Sequence, residues 1–261
     1  MAIKGAVLGD ILGSQYEFDR PQNLNWKNVL IYSKKNCSFT DDTVMTLAVK
    51  KALVEKKDLV ETMVEMGRKY PYAGYGGRFY RWIQGEDHKP YNSWGNGSAM
   101  RVAFVGEYYE DYQEMQQMSA KTAEVSHNHP EGIKGAVVTA TCIWMVRHQK
   151  GKKEIYDYVL REYPKQEYEY SIACSLEEIR PCYKWDVSCQ GSVPVAMRCF
   201  YESTDYESFI RNIYSLSCDS DTFGAIAGGV AEEYYGGFGA VSADEIIKEQ
   251  LTEELYEILC R

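Results

Sequence analysis

Apolar side chains recur along this chain at three- and four-residue intervals, the spacing that places them on one face of an α-helix. The stretch 130–148 shows this most fully, with a proline at its start and a Lys-Gly stop after it. Residues 243–260 repeat Ile and Leu in the same way, and Ser242 with Glu245 has the pattern of a capping box, so we predict one closing helix there. The same period predicts helices over 43–54, 59–68, 112–125, 207–216 and 223–235. Alternating, strand-like runs are scarce, and the pattern therefore predicts an all-α fold.

Glycine- and aromatic-rich loops interrupt the helical stretches at 72–79, 93–98 and 235–239. None of them is long enough to be a linker, and the chain has no low-complexity tract and no fixed-period repeat. The polar stretch 161–170 indicates an excursion on the surface rather than a boundary. We therefore predict one domain over residues 1–261 with functional loops.

The charge balance excludes some classes of partner. The chain has 29 Lys and Arg against 38 Asp and Glu, a net charge of −9 with histidine neutral. A surface that grips nucleic acid needs clustered Lys and Arg, and bulk attraction to anionic membranes is disfavoured in the same way. The apolar content of 45% is that of a globular core and excludes a disordered or collagen-like chain.

Targeting signals are equally scarce. The acid at position 10 interrupts the first apolar run too early for a signal-peptide core, and no stretch approaches the ~18 to 20 apolar residues of a membrane span. The eight cysteines include no C-x-x-C pair, which argues against structural zinc and a redox dithiol. We expect a cytoplasmic protein with reduced, buried thiols.

Two short segments, 39–43 and 218–222, each place two aspartates among hydroxyl residues directly before an apolar helical run. Capping a helix needs one acceptor, and a second acid adds repulsion that something positive must offset, although capping alone stays open for either segment taken singly. Asp219 and Asp221 converge only if the chain is still turning into its helix there. Carboxylates with threonine hydroxyls form an all-oxygen set that suits Mg²⁺ or Mn²⁺ rather than zinc, and four acids could share two ions.

For the second segment, the sequence excludes an EF-hand and disfavours an aspartyl-phosphate phosphatase. An EF-hand loop that began at Asp219 would need an oxygen ligand at Phe223 and a glutamate at Val230. An aspartyl-phosphate phosphatase would place its acid pair straight after a buried strand, whereas 210–218 has the pattern of the end of an amphipathic helix.

The histidines and glycine loops carry weaker signals. His127 and His129 form an H-x-H pair, but the other histidines lie in charged stretches, so a zinc site is poorly supplied. His127 precedes a helix opened by Pro130, where free amides favour an anionic group, and a ligand contact and a capping role both stay open. The glycine loops match neither a P-loop nor G-x-G-x-x-G, although Arg78, Arg101 and neighbouring aromatics could hold a phosphate and stack a base.

Taken in order, the motifs resemble those of one family. They are GAVLGDILG at 5–13 with Glu17, TDDT at 40–43, GNGSAMR at 95–101, Ser126-His127, and DSDT at 219–222 before a small-residue helix. This ordered set, from about residue 3 to residue 236, resembles the ADP-ribosylglycohydrolases, a family that includes the dinitrogenase reductase activating glycohydrolase. The resemblance implies a compact all-α domain with two Mg²⁺ or Mn²⁺ ions in a cleft, and an enzyme that removes ADP-ribose from a modified target.

The resemblance also implies roles for individual positions. Six residues match the family's metal ligands, namely Thr40, Asp41, Asp42, Asp219, Asp221 and Thr222. Glu17 matches an acid near the reacting ribose. Related enzymes cradle the diphosphate and the ribose at the positions of Gly76, Gly77, Asn96, Gly97, Ser98, Met100 and His127. Hydrolysis at the anomeric carbon builds oxocarbenium character and needs a positioned water, so we expect the ions to hold the ribose hydroxyls and Asp41, Asp42 or Glu17 to take the proton.

The acceptor is the open part of the assignment. This chain departs from many relatives in the residues after His127 and in its tyrosine-rich loops, with 22 tyrosines in all. ADP-ribosyl-arginine on protein is the first choice, and ADP-ribosyl-serine, other O-linked conjugates and ADP-ribosylated small molecules are alternatives. A non-catalytic ADP-ribose-binding module is the alternative from another class, against which all six ligand positions are filled. We expect ADP-ribose as the product and neither a membrane nor a nucleic-acid partner.

Overall fold

The computed structural model describes residues 2–261, and helices make up most of it. In chain order they are α1 (Ala2–Gly13), α2 (Asp41–Glu55), α3 (Leu59–Lys69), α4 (Gly77–Gln84), α5 (Gly97–Met100), α6 (Ala103–Tyr108), α7 (Tyr112–Glu124), α8 (Pro130–Arg147), α9 (Lys152–Glu162), α10 (Leu176–Ile179), α11 (Cys189–Tyr201), α12 (Tyr206–Tyr214), α13 (Ser220–Tyr235), α14 (Ala243–Gln250) and α15 (Glu253–Cys260). A 3₁₀ turn, Ser14–Tyr16, continues α1. Over residues 2–261, the β-type pairing is limited to one isolated antiparallel bridge between Gly95 and Ser188. The predicted all-α fold is confirmed.

The two helices behind the acidic segments begin earlier than their apolar pattern indicated. The structure starts α2 at Asp41 rather than at residue 43, and α13 at Ser220 rather than at residue 223. Polar residues of the first turn carry no apolar period, because their side chains face the cleft and the helix N-terminus instead of the core. Both acidic segments therefore lie at helix N-termini.

The single closing helix predicted over 243–260 is wrong. The structure has two helices, α14 and α15, and the break lies at Leu251, whose backbone is extended with φ −78° and ψ 149°. Thr252 is also extended and accepts a hydrogen bond from the Leu255 amide, so it caps the second helix. The Ser242 side chain makes no capping hydrogen bond, so the predicted capping box with Glu245 does not form.

Glycines hold α1 and α13 in direct backbone contact. A Cβ atom added to Gly9 would lie 2.1 Å from the Gly224 carbonyl oxygen, and one added to Gly5 would lie 2.3 Å from the Gly228 oxygen. One turn further on, a Cβ at Gly13 would lie 2.2 Å from the Ser220 oxygen. Only residues without a side chain allow this separation. The contact brings the C-terminal end of α1 beside the N-terminal end of α13.

Both helices of this contact are almost completely buried, whereas the cysteines of the chain differ in their burial. In α1 every residue except Lys4 is buried, and in α13 burial runs from Ser220 to Glu232. The eight cysteines are free thiols; Cys182 and Cys260 are exposed and Cys174 is half-buried, so the expectation of buried thiols fails for these three. Among residues 2–261, no helix has both the length and the apolar character that a bilayer crossing demands.

Candidate active site

A cavity of about 410 Å³ opens where the N-termini of α2 and α13 meet the glycine loops. Twelve of the fourteen residues to which the family resemblance assigns a role line it: Glu17, Asp41, Asp42, Gly76, Gly77, Asn96, Gly97, Met100, His127, Asp219, Asp221 and Thr222. The other two, Thr40 and Ser98, do not. Of the two arginines considered as phosphate contacts, Arg78 lines the cavity, whereas Arg101 is fully buried and does not. The Ser98 hydroxyl is buried and donates to the Gly132 carbonyl at 2.7 Å, which is a structural contact behind the cavity wall.

Three carboxylates from distant parts of the chain converge on one side of this cavity. One oxygen from each of Glu17, Asp219 and Asp221 lies within 4.8 Å of the others. Asp219 precedes the helix with φ −68° and ψ 78°, and Asp221 lies in its first turn, so the chain is still turning there as the spacing required. Asn96 holds Asp219 in place, because its Nδ2 donates to Asp219 Oδ2 at 2.8 Å.

The second acid pair begins α2. Thr40 is the N-cap residue, and its hydroxyl accepts a hydrogen bond from the Asp42 amide at 3.3 Å. Asp42 Oδ2 lies 3.4 Å from the Thr222 hydroxyl of the other acidic segment. Asp42 Oδ1 is buried without any hydrogen-bond partner among the described residues. A buried carboxylate oxygen that has no hydrogen-bond donor and lies beside other acids fits a ligand of a divalent cation.

Asp10, to which the sequence analysis gave no role, organises this helix start. It is fully buried in α1, and its carboxylate accepts hydrogen bonds from the amides of Thr40 and Thr43, both at 3.0 Å, and from both hydroxyls, with that of Thr40 at 2.8 Å. All four bonds use donors of the TDDT motif, so Asp10 is a positioning residue for Asp41 and Asp42. The available signal was a lone acid among the apolar residues 5–13.

Crowding raises the pKa of these acids. Burial, together with the charge of Asp219, raises the pKa of Glu17 to about 7. Burial raises the pKa of Asp10 to about 6 against the opposing effect of its threonine donors. The pKa values of Asp41 and Asp42 are raised by burial first and then by the charges of neighbouring carboxylates.

The donor set fits divalent metal. Its members are carboxylates and hydroxyls, the hard oxygen ligands of Mg²⁺ and Mn²⁺, and no cysteine or histidine lies among them. The helix N-termini that carry them stabilise negative charge only in part. Positive ions are the natural complement of a cluster whose strongest charge interactions are repulsive.

Groups of the opposite character line another part of the cavity. Gly76 precedes α4 and Gly77 opens it, and a Cβ at either glycine would meet open space. Arg78 donates to the Tyr91 carbonyl at 2.8 Å and lies over the Tyr91 ring, which in turn contacts His127 with centroids 5.8 Å apart. A helix N-terminus with an adjacent arginine is suited to an anionic group such as a phosphate.

Hydrogen bonding fixes the tautomer of His127. Arg101 Nη2 donates to Ser126 Oγ at 2.9 Å, and Ser126 Oγ lies 2.8 Å from His127 Nδ1. If Ser126 also accepted from Nδ1, its own buried proton would lack an acceptor, so the hydroxyl donates to Nδ1. Burial and the charges of Arg101 and Arg78 hold the pKa of His127 well below its usual range. The neutral ring therefore carries its proton on Nε2. This atom lies against Gly97 in the cleft wall, where an added Cβ atom would be 3.1 Å from it.

The two roles left open for His127 are thus separated. The capping role belongs to His129, whose Nδ1 accepts a hydrogen bond from the Glu131 amide at the start of α8. His127 instead lines the cavity. Pattern alone did not distinguish the two histidines, because both precede the same helix by a few residues.

Comparison with known proteins agrees with this geometry. The family model described as ADP-ribosylglycohydrolase matches residues 1–254. Over 307 aligned positions the chain is 25% identical to ADP-ribosylhydrolase ARH3 of Mus musculus, with 90% of this chain and 82% of that protein covered. ADP-ribosylhydrolase ARH3 of Homo sapiens is 24% identical, with 90% and 84% covered. A solved structure titled ADP-ribosylglycohydrolase-related protein complex superposes with a TM-score of 0.73 at 22% identity, covering 98% of this chain and 96% of that one, and shows the shared fold. The chain belongs to the ADP-ribosylglycohydrolase family.

Proposed function

We propose that this protein is a Mg²⁺- or Mn²⁺-dependent hydrolase that cleaves the bond between ADP-ribose and a modified acceptor, with ADP-ribosyl-arginine on protein as the first substrate to test. One observation supports this most. A single cleft carries the convergent carboxylates of Glu17, Asp219 and Asp221 together with a separate group of Arg78 and His127. A ribose linked to a diphosphate requires both kinds of surroundings.

The diphosphate and the reacting ribose of ADP-ribose each have a counterpart in the cleft. The diphosphate would take hydrogen bonds from Arg78, from the amides that open α4 and from the Nε2 proton of His127. The reacting ribose would then lie against the carboxylates. Because Asn96 holds Asp219 and directly precedes Gly97, which packs against His127, it would keep the glycine wall and the acids in register.

The metal would be held by the two acidic segments, by Thr40, Asp41, Asp42, Asp219, Asp221 and Thr222. When bound, the ions supply positive charge that polarises a water molecule and the ribose hydroxyls. The Thr40 hydroxyl donates a hydrogen bond to Asp10 and accepts one from the Asp42 amide, which leaves one lone pair of its oxygen available for a metal ion. Asp10 has all its bonds to threonine donors and is not part of this set.

Glu17 is the residue we propose to accept the proton of the attacking water. It is only partly buried at the cavity wall, in contrast to Asp42 and Asp221. Burial is the main cause that raises the pKa of Glu17, and a carboxylate with a raised pKa is a stronger proton acceptor. Fixing the water and the base together removes much of the entropic cost of bringing them to the anomeric carbon as positive charge develops on the ribose.

The test is loss of turnover without loss of fold. We expect the Asp41→Ala, Asp221→Ala double variant, and wild type after exhaustive chelation, to release no ADP-ribose while keeping their helical circular dichroism. A matched double variant, Asp87→Ala with Asp157→Ala, removes the same formal charge from exposed ion pairs and should keep its activity. Full activity in the cleft double variant would exclude the proposal.

The linkage is tested with a panel of Arg-, Ser-, Asp/Glu- and nucleic-acid-linked ADP-ribose, each incubated with and without Mg²⁺ or Mn²⁺. Release from the arginine conjugate alone would support the proposed acceptor, and release from a different conjugate alone would replace it. The cytoplasmic location and the single domain over residues 1–261 stay predictions from the sequence.

A further inference from the structure

Two aromatic side chains stack at the mouth of the cleft. The rings of Phe18 and Trp185 have centroids 5.8 Å apart and planes inclined by 17°. Phe18 is 79% exposed and Trp185 is 42% exposed, so the stack is not part of the core. Single exposed apolar residues are common on proteins, but a parallel pair from distant parts of the chain that also lines the cavity is a more specific feature.

Chain connections link both rings of the stack to the carboxylates. Phe18 directly follows Glu17 in the chain. Trp185 is two residues before Val187, whose carbonyl accepts a hydrogen bond from the Asn96 amide at 2.8 Å, and the Asn96 side chain holds Asp219. Arg78 stacks on Tyr91 instead, and neither Phe18 nor Trp185 stacks on these two side chains.

This placement defines where an acceptor would lie. If the diphosphate binds at Arg78 and His127 and the ribose binds at the carboxylates, the substituent on the anomeric carbon extends away from the diphosphate and past Glu17. Phe18 is the next residue along the chain, and both Phe18 and Trp185 line the cavity, so their stack is a surface that this substituent can reach. An aromatic face attracts a planar, delocalised cation far better than a neutral aliphatic chain.

We infer that Phe18 and Trp185 form an acceptor platform, on which the guanidinium of ADP-ribosyl-arginine stacks while its glycosidic bond is held at the carboxylates. This inference rests on the proposed function, because it assumes that ADP-ribose lies in the cleft. A serine acceptor carries no planar cation and gains nothing from the platform. The pair would therefore determine specificity for the linkage rather than contact ADP-ribose.

The experiment measures binding in Mg²⁺-loaded protein that carries Glu17→Gln to suppress turnover. Calorimetry gives the Kd of ADP-ribose and the Kd of ADP-ribosyl-arginine, and their ratio isolates the contribution of the acceptor. We expect Phe18→Leu or Trp185→Leu to reduce the advantage of the arginine conjugate by about 3- to 10-fold. Phe18→Tyr and Trp185→Phe keep an aromatic face and should preserve most of it. Tyr108→Leu removes a 48% exposed ring that does not line the cavity and serves as the matched control.

The outcomes separate the platform from the proposed function. An unchanged ratio in both leucine variants, or an equal loss for both ligands, would overturn the platform. Turnover assays on wild type address the proposed function independently. If wild type cleaves arginine conjugates and the ratio does not move, the platform alone is wrong. If wild type cleaves only serine conjugates and the ratio still falls in the variants, the proposed linkage is wrong and the platform stands as a binding site.

Discussion

Replacing Asp10 by alanine tests how the acids of α2 are held in place. The amides of Thr40 and Thr43, each 3.0 Å from Asp10 Oδ2, would lose their acceptor inside the protein. An unpaired buried donor costs about 1–3 kcal/mol, so two of them predict that the free energy of unfolding falls by about 2–6 kcal/mol. The loss should be accompanied by weaker metal binding, because Asp41 and Asp42 would no longer be fixed.

Asparagine at position 10 is the matched control. With its Oδ1 turned toward the two amides it keeps both of them paired, and its Nδ2 can donate to the Thr40 hydroxyl oxygen. It gives up only the charge assistance of these bonds, and it removes one negative charge from a repulsive cluster. We therefore expect the metal-free Asp10→Asn protein to lie within about 1 kcal/mol of wild type.

Urea unfolding followed by circular dichroism, with and without Mg²⁺ or Mn²⁺, measures both effects. Calorimetric titration of the metal then separates loss of stability from loss of affinity. The reasoning is refuted if the alanine variant is as stable as wild type, or if the asparagine variant is as unstable as the alanine variant.

In the contact between α1 and α13, Gly9→Ala would place a methyl group 2.1 Å from a carbonyl oxygen, and we expect the free energy of unfolding in urea to fall by about 1–3 kcal/mol. In the control Gly151→Ala, the nearest atom lies 3.8 Å from the new methyl group, so the loss should be smaller, and equal losses would contradict the packing argument. The pKa of Glu17 rises from 4.5 to about 7 on folding, so between these pH values the native state binds more protons than the unfolded state. As the pH rises from 4.5 to 7, the Tm of metal-free wild type should therefore fall relative to that of Glu17→Gln, and a Tm difference that does not change in this direction would contradict the assignment. Ser126→Ala removes the donor to His127 Nδ1, so ¹⁵N NMR should show the imidazole ring as a mixture of tautomers, and calorimetry should show weaker binding of ADP-ribose. An unchanged imidazole spectrum would refute the assigned tautomer.

Apolar spacing predicted many of the helices, including α13, but it missed α1 and α4. The stretch 130–148 was identified because its apolar residues follow the helical period, and α8 covers it almost completely. The sequence analysis did not predict α1, because burial on every side leaves no polar stripe to alternate with the apolar one. The break at Leu251 was missed because both flanking helices bury apolar residues in the same phase.

The acidic part of the site was predictable from short motifs, and its supporting contacts were not. Asp41 and Asp221 stand in recognisable runs of acids and hydroxyl residues. The role of Asp10 depends on a contact across 30 residues, and the Phe18–Trp185 stack joins still more distant loops. Such contacts follow from tertiary packing, for which a single sequence carries no local signal.

The glycine contact between α1 and α13 also determines when these helices can pack during synthesis. Ser220 donates to the Gly13 carbonyl across 207 residues, so most of the chain must leave the ribosome before α1 meets its partner. Until then, α1 can pack against α2, where Asp10 bonds Thr40, but its glycine face lacks the cover of α13. The metal site cannot form before this point either, because Asp219 and Asp221 are made together with α13.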